Sequence, residues 1–318
     1  MMPATGTGSV DMRILVLGAG GIGGYYGGRA AAGGADVTFL VRPRRAAQIA
    51  ANGLVIKSPL GDATVAAKTV LAEELKPGWD AIILSCKAYD LDSAIAAIRP
   101  AARGAKIIPQ LNGMRHLDRL SEEFGAEAVL GGMAGIAVTL DDDGTVRHLS
   151  PMATFGYGPR LPSQAAFCDA LQPDLAKGGF DLTNSPDIMQ MMWEKWVFLC
   201  SIAAMNCLFR ANVGSIVSAT EDAAGLMLGM VDECTAVATA AGFKPRPAAD
   251  GRVRAQLSDP KGQWMASMLR DLQRGAAVEA DHVVGDMLAR AKGFGTPHTL
   301  LSVAYTHLKV YEAARPKS

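Results

Sequence analysis

Residues 13–23, RILVLGAGGIG, and residues 37–42, VTFLVR, decide the fold of this chain. Both stretches contain an apolar run of strand type, and the first run enters a glycine-rich turn that leads into small residues suited to a helix. Strand, turn, helix and second strand in this order are typical of a dinucleotide-binding βαβ unit. A chance match in a chain with 35 glycines is the alternative, and the order of the elements argues against it.

The glycine turn has six residues that we expect to bind the cofactor: Gly18, Ala19, Gly20, Gly21, Ile22 and Gly23. Gly18 would permit the tight turn, and Gly20 would let the backbone approach a pyrophosphate. Gly23 would let the helix pack close to the strand. The phosphate charge would then lie at the helix N-terminus, where backbone N–H groups point outward.

The end of the second strand indicates which dinucleotide binds. An NAD-binding chain usually carries Asp or Glu there for the ribose 2′-hydroxyl, whereas an arginine accommodates a 2′-phosphate. Arg42 ends this strand, and Arg44 and Arg45 follow it. We therefore expect NADP(H), with Arg42 as the first candidate because its planar guanidinium suits a phosphate. A solvated loop carrying these arginines without a ligand is the alternative.

Length and composition describe a globular chain of two domains. The 318 residues exceed the usual size of one domain, and 49% hydrophobic and 19% charged residues argue against disorder. Lys and Arg balance Asp and Glu at 31 each, so no overall charge attracts nucleic acid or an anionic membrane. The longest apolar run, residues 196–209, is too short and too polar to span a bilayer. We expect neither nucleic acid nor a membrane as a partner.

Cysteine and histidine patterns indicate neither a disulfide framework nor a metal site. The five cysteines are an odd set without a C-x-x-C pair, and the five histidines lack ligand spacing. The acidic run at residues 141–144, DDDG, is better explained as a solvated turn than as a metal site. Residues 1–11 lack the apolar core of a signal peptide, so we interpret them as a flexible leader and expect a cytoplasmic protein.

The hydrophobic pattern predicts an α/β Rossmann-type domain at residues 12–183 and an all-helical domain at residues 184–318. In the first domain strands alternate with helices, a hairpin-like excursion covers residues 53–67, and residues 129–130 and 136–140 continue the sheet. Two further short strands should follow the acidic turn. Beyond Pro186 the pattern changes to helices at 187–209, 220–241, 262–273, 277–292 and 299–314. A ligand cleft is expected at the carboxyl ends of the parallel strands.

Five polar residues at strand ends and on helices are candidates for catalysis or ligand binding: Lys87, Asn112, Lys195, Ser267 and Glu279. Lys87 and Asn112 follow predicted strands, so a simple cap and a simple turn remain alternatives. Lys195 lies between aromatic and aliphatic residues on a helix that should be buried. An unpaired ammonium is costly there, so Lys195 should face a cavity or a carboxylate unless its stem reaches solvent.

From residue 12 to about residue 312 the chain resembles the ketopantoate reductase (2-dehydropantoate 2-reductase) family. The matching segments are GAGGIG at 18–23, LSCKAY at 84–89, PQLNGM at 109–114, WEK at 193–195, and SMLRD at 267–271 with Glu279 behind it. Each segment is common alone, and their joint order and spacing is specific. The resemblance implies a 6-phosphogluconate-dehydrogenase-like fold and NADPH-dependent reduction of a 2-oxo acid to a 2-hydroxy acid. In the family this is ketopantoate to pantoate, on the route to pantothenate.

The same resemblance implies two catalytic residues. Lys195 would donate a proton to the carbonyl oxygen as hydride arrives from the nicotinamide, and its ammonium would polarise the ketone. Glu279 would contact the cofactor and help to hold the lysine.

Other positions would match binding residues of the family. Ser267 would donate a hydrogen bond to the substrate carboxylate. Asn112 would touch both substrate and cofactor, Lys87 would touch the cofactor, and Ala137 matches a cofactor-contacting backbone position.

Three positions of the substrate pocket depart from the family. Asparagines that bind the substrate's polar groups in well-understood members are replaced here by Leu199, Ala203 and Val213. A buried hydroxyl without a partner costs about 1–3 kcal/mol. Asn206 and Asn212 lie near these positions, but Asn206 is about three helical turns from Lys195.

We therefore expect an NADPH-dependent reductase of a 2-oxo acid that carries fewer hydroxyls than ketopantoate. One alternative keeps ketopantoate as the substrate, with donors that the sequence does not reveal. A second alternative is a non-catalytic NADP(H) sensor, against which the presence of Lys195, Ser267 and Glu279 argues. The resemblance also implies a homodimer.

Overall fold

The structure, a computed structural model, describes residues 11–315. Apart from Asp11, the expected leader lies outside this range. Asp11 forms an ion pair with Lys177 at 2.7 Å. The chain folds into two compact units. The first comprises residues up to Cys86, Asp90–Gln110 and Leu120–Pro186, and the second comprises Lys87–Tyr89, Leu111–Arg119 and the chain from Asp187 onward.

The described part of the first unit has ten strands: β1 Ile14–Leu17, β2 Val37–Leu40, β3 Leu54–Lys57, β4 Ala63–Val65, β5 Lys68–Val70, β6 Ala81–Leu84, β7 Lys106–Pro109, β8 Gly131–Leu140, β9 Val146–Gly158 and β10 Asp181–Asn184. A five-stranded parallel sheet has the order β5-β2-β1-β6-β7. Its central strand is fully buried at Ile14, Leu15 and Val16, as expected for a sheet covered on both faces. This confirms the Rossmann-type prediction.

The second sheet corrects one prediction. Residues 129–130 and 136–140 were expected to continue the sheet, but of these residues only Val129 bridges to the parallel sheet, opposite Ile107. Strand β8 instead pairs antiparallel with β9 in a mixed sheet of order β10-β9-β3-β4. The predicted hairpins, β3 with β4 and the turn at residues 141–144, are confirmed.

Strand β9 is one element of 13 residues where two short strands were expected. Residues 149–152 make no pairs with β8, because the register passes from Ile136 opposite Ala153 to Val138 opposite His148. Pro151 lies in this irregularity, where its missing N–H costs no ladder hydrogen bond.

Twelve α-helices complete the described chain: α1 Gly21–Ala32, α2 Pro43–Asn52, α3 Leu91–Ile98, α4 Arg115–Phe124, α5 Ala165–Ala176, α6 Ile188–Phe209, α7 Val213–Val217, α8 Ala223–Ala240, α9 Pro247–Leu257, α10 Ser267–Gln273, α11 Asp286–Phe294 and α12 Thr299–Ala314. A π-helical turn, Asp281–Gly285, precedes α11, and short 3₁₀ turns occur at residues 72–74, 88–90, 126–128 and 162–164. No strand occurs in residues 187–315, so the all-helical prediction is confirmed.

Helix α6 is the centre of the second unit. It packs against α8, α10 and α12, because its apolar residues cover nearly the whole circumference. Helix α9 was missed by sequence reasoning, since Pro247, Gly251 and two arginines weaken its helical pattern.

Helix α8 is the only described helix that is long and apolar enough to span a membrane by length and composition. It packs against α6, α9, α11 and α12. It also carries the buried carboxylate of Glu233, which accepts hydrogen bonds from the N–H groups of Leu300 and Leu301 at 2.9 Å each. These are the contacts of a core helix that anchors the start of α12.

Candidate active site

The glycine turn has the backbone geometry that its spacing predicts. Gly18 has φ +83°, a conformation that L side chains rarely adopt. A Cβ atom at Gly23 would lie 2.5 Å from both the Gly18 carbonyl oxygen and Ser85 Oγ, so α1 approaches the sheet closely there. A Cβ atom at Gly20 would have nothing within 4 Å. Packing therefore requires Gly23, whereas the space above Gly20 is open to a ligand at the start of α1.

Of the three arginines after β2, Arg42 and Arg45 have different environments. Arg42 directly precedes α2 and is exposed. Arg45 is partly buried: its Nε donates to the carbonyl of Ala19 at 3.0 Å, and its Nη1 donates to the carbonyl of Gly144 at 2.8 Å. Burial lowers the pKa of Arg45. Arg45 thus ties the glycine turn to the β8–β9 turn, a role that sequence reasoning missed, whereas Arg42 is available to a ligand.

Ala137 lies close to the glycine turn. The neighbouring Val138 packs against the start of α1, where a Cβ atom at Gly21 would lie 3.2 Å from Val138 Cγ1. Ala137 itself is partly exposed and lies opposite the unpaired residues of β9. The residue that follows Ala137 therefore packs against the start of α1 within the first unit.

In the second unit, Lys195 donates a hydrogen bond from Nζ to Asn112 Oδ1 at 3.2 Å. Burial of the ammonium lowers the pKa of Lys195 to about 8, and the negative charge of Glu279 opposes this shift. The charge of Glu279 therefore reaches Lys195, whose pKa lies below the ordinary value of a lysine in solvent.

Lys87 and Glu279 form a second charged group beside this lysine. Lys87 Nζ lies 2.9 Å from Asp271 Oδ2 and 3.7 Å from Glu279 Oε2. Burial alone would lower the pKa of Lys87, but the two carboxylates raise it. Glu279 is 8% exposed and also accepts a hydrogen bond from the N–H of Ala88 at 3.0 Å. Lys87 is thus a fixed cation, and Asp271 is a partner that sequence reasoning had not singled out.

Asn112-Gly113 is both a turn and part of the polar cluster. Gly113 has φ +77°, and a Cβ atom there would lie 2.7 Å from the carbonyl oxygen of His282. Glycine lets the chain pass this carbonyl closely, which fixes Asn112 with its side chain on Lys195.

Ser267 and the three positions at which the family has asparagine differ in solvent exposure. Ser267 and Leu199 are partly exposed, whereas Ala203 and Val213 have no exposed surface. Of the three replaced asparagine positions, only Leu199 is open to a ligand. Ser267 makes no hydrogen bond to Lys195 or Asn112, although its helix, α10, packs against α6.

The two asparagines considered as substitutes are engaged in the fold. Asn206 is fully buried, donates to the carbonyl of Ala211 at 2.8 Å and accepts from the N–H of Ala266 at 2.9 Å. Asn212 accepts from the N–H of Ser215 at 2.8 Å and thereby caps α7. Neither side chain replaces the donors that the pocket lacks.

Among residues 11–315, no group of three or more His, Cys, Asp or Glu side chains is arranged to hold a metal ion. The five cysteines form no disulfide. Burial raises the pKa of Cys207 to about 12 and that of Cys168 to about 11, so neither is a reactive thiolate.

Comparisons with known proteins identify relatives along nearly the whole chain. Residues 14–160 match the family model of ketopantoate reductase PanE/ApbA, and residues 187–312 match the model of its C-terminal domain. The uncharacterized oxidoreductase YkpB of Bacillus subtilis is 33% identical over 305 residues, which are 96% of this chain and all of that protein.

Two solved structures share the fold. The 2-dehydropantoate 2-reductase of Geobacter metallireducens has a TM-score of 0.85 at 27% identity, over 94% of this chain and 99% of that one. A D-mandelate dehydrogenase solved with NADH and anilino(oxo)acetate has a TM-score of 0.84 at 20% identity, over 95% and 99% of the two chains. From its sequence matches, this chain belongs to the ketopantoate reductase family of oxidoreductases.

Proposed function

We propose that this protein reduces a 2-oxo acid to a 2-hydroxy acid with NADPH, and that its substrate carries fewer hydroxyl groups than ketopantoate. The observation that carries the proposal is Lys195, whose partly buried side chain has a pKa lowered to about 8 and a fixed partner in Asn112. Such a group is mostly protonated near neutral pH, yet it releases its proton far more readily than an ordinary lysine.

The residues of the first unit fit a dinucleotide. The open space above Gly20 admits a pyrophosphate at the start of α1, and no carboxylate ends β2 to hold a ribose 2′-hydroxyl. Arg42 would bind a 2′-phosphate, while Arg45 holds the turn in place. Ala137 would contribute its backbone beside the turn. When bound, the cofactor supplies the hydride.

Lys195 would act as the general acid. Its Nζ gives a proton to the carbonyl oxygen, where negative charge develops, and Asn112 keeps the amine oriented before and after the transfer. Burial disfavours the charged lysine, so proton release leaves the neutral amine, which is the form that burial favours. Glu279 keeps enough positive charge on the lysine for the next cycle.

The remaining residues would bind and orient. Ser267 is accessible enough to donate to the substrate carboxylate. Lys87, held by Asp271 and Glu279, would present a fixed cation to the cofactor. Leu199 offers no hydrogen bond, and Asn206 and Asn212 are already occupied, which is why we propose a less hydroxylated substrate. Names of relatives support the chemistry: one is a 2-dehydropantoate 2-reductase, another a D-mandelate dehydrogenase.

A panel assay tests this proposal. Oxidation of NADPH would be followed with ketopantoate, pyruvate, and branched and aromatic 2-oxo acids, with NADH in parallel. We expect turnover with NADPH and a higher kcat/KM for an apolar 2-oxo acid than for ketopantoate. Ketopantoate as the best substrate would contradict the altered pocket, and no turnover with any acid would favour a sensor.

We further propose that the protein is cytoplasmic and forms a homodimer. Sedimentation of the purified chain at several concentrations would test the homodimer.

A further inference from the structure

Helix α6 has accessible apolar side chains directly after Lys195. Lys195, Phe198 and Leu199 are partly exposed, whereas the residues between them are buried. Spacings of three and four residues place these side chains on the same face of the helix. Further along that face Ile202 and Ala203 are buried, at 2% and 0% exposure. On the C-terminal side of the lysine, the accessible surface of α6 is therefore apolar and about one helical turn long.

The loop that precedes Ser267 borders the same surface. Trp264 packs edge-on against Phe198, with ring centroids 6.1 Å apart and an interplanar angle of 87°. Trp264 and Met265 are nevertheless 41% and 37% exposed. Large apolar side chains that remain accessible beside a polar cluster offer a surface to a ligand.

This loop is fixed by hydrogen bonds, so the exposure of Trp264 is built into the fold. The N–H of Val213 donates to the carbonyl of Trp264 at 3.2 Å, and the N–H of Gly214 donates to the carbonyl of Gly262 at 2.7 Å. The N–H of Ala266 donates to the buried Asn206 at 2.9 Å. A replacement at Trp264 should therefore leave the loop in place.

We infer that Phe198, Leu199, Trp264 and Met265 form a wall that binds an aryl side chain of the substrate, so that the substrate is an aryl 2-oxo acid such as phenylpyruvate. This inference rests on the proposed function and adds the side-chain class. The wall begins one turn from Lys195 and ends at Met265, two residues before Ser267. If the substrate carboxylate binds to Ser267 and its carbonyl oxygen to Lys195, the side chain of the 2-oxo acid would lie against this wall. An aromatic ring can stack on Trp264 in the offset or edge-on geometry that such rings prefer.

The kinetic test compares phenylpyruvate with pyruvate in the wild type, in Trp264→Ala and in Trp264→Phe. We expect kcat/KM for phenylpyruvate to exceed that for pyruvate by about 10- to 100-fold, the range that burial of one aromatic side chain supplies. Trp264→Ala should lower this ratio by about 5- to 10-fold, and Trp264→Phe should largely keep it. Phe294→Ala, which removes another exposed aromatic residue, is the matched control and should not change it.

Binding gives a second readout that does not depend on turnover. Trp264 is 41% exposed, whereas Trp79, Trp193 and Trp196 are 9% exposed or less, so a ring at the wall should quench mainly Trp264. Phenyllactate should quench the fluorescence, lactate should not, and Trp264→Phe should abolish the effect. Equal quenching by both acids would overturn the inference.

The outcomes distinguish a failure of the proposed function from a failure of the inference about the side chain. If no 2-oxo acid is reduced with either nicotinamide cofactor, the proposed function fails and the inference fails with it. If 2-oxo acids are reduced but the phenylpyruvate ratio is near one and insensitive to Trp264→Ala, only the inference is overturned. A change of oligomeric state in Trp264→Ala with an unchanged ratio would assign the wall to a second copy of the chain and would also overturn it.

Discussion

The Nζ atom of Lys195 lies 3.2 Å from Oδ1 of Asn112, and the two residues are 83 positions apart in the chain. The amide oxygen is a neutral acceptor, so it orients the ammonium without adding a charge that would retain the proton. Burial lowers the pKa of the lysine to about 8, and Glu279 limits the shift. An acid of this strength can both hold and release a proton near neutral pH, which is what a carbonyl reduction needs.

Lys195→Ala should abolish turnover while cofactor binding survives. Loss of a general acid costs about 10²- to 10⁴-fold in rate, and the cofactor residues of the first unit are untouched. Steady-state kinetics and NADPH fluorescence titration would measure the two effects, with the exposed Lys292→Ala as control. Unchanged turnover, or lost NADPH binding in a folded variant, would refute the role given to Lys195.

The rate of reduction should fall as the pH rises through about 8. The protonated lysine is the active form, and its pKa of about 8 lies below the ordinary value because of burial. Glu279→Gln removes the negative charge that raises this pKa, so the alkaline limb should move to lower pH. Profiles of kcat/KM against pH for both proteins test this, and a limb that stays in place in Glu279→Gln would contradict the coupling.

Two substitutions at Asn112 should shift the alkaline limb of the profile of kcat/KM against pH in opposite directions. Asn112→Asp places a second carboxylate on the ammonium and should move the limb upward. Asn112→Ala removes the acceptor of a charge-assisted hydrogen bond, worth about 1.5–3 kcal/mol, and should move it downward by about one pH unit or more. Both variants should also be slower, so the position of the limb is the decisive readout. A common direction in the two variants would show that Asn112 does not act through Lys195.

Arg42→Ala should weaken NADPH binding by about 10- to 100-fold and leave NADH binding unchanged, because only NADPH carries the 2′-phosphate. Arg42 is exposed between β2 and α2, whereas Arg45 is bound to Ala19 and Gly144. Arg44→Ala, a neighbouring exposed arginine, is the control. Fluorescence titrations with both cofactors would show the difference, and an equal effect on NADPH and NADH would refute the assignment.

Local patterns predicted the βαβ unit, the helical second half and the position of Lys195 on a buried helix, because each depends on residues close together in the sequence. The partner strand of β8 could not be predicted, since pairing with β9 or with β7 is decided by tertiary packing. The same holds for Asp271 and Trp264. Their roles depend on contacts with Lys87 and Phe198, which are far away in the chain.

The glycine turn offers a matched pair of substitutions that separates folding from cofactor binding. In Gly23→Ala the new Cβ would meet the Gly18 carbonyl and Ser85 Oγ at 2.5 Å, so α1 must move and the protein should lose about 1–3 kcal/mol of stability. In Gly20→Ala the new Cβ has open space and an ordinary backbone conformation, with φ −82°, so the melting temperature should change little. That Cβ would occupy the space through which a pyrophosphate reaches the start of α1, so NADPH affinity should fall by about tenfold or more. Calorimetry and NADPH titration of both variants measure the two effects. If Gly20→Ala bound NADPH as tightly as the wild type, the pyrophosphate would not lie over Gly20, and the cofactor would have to approach the turn elsewhere.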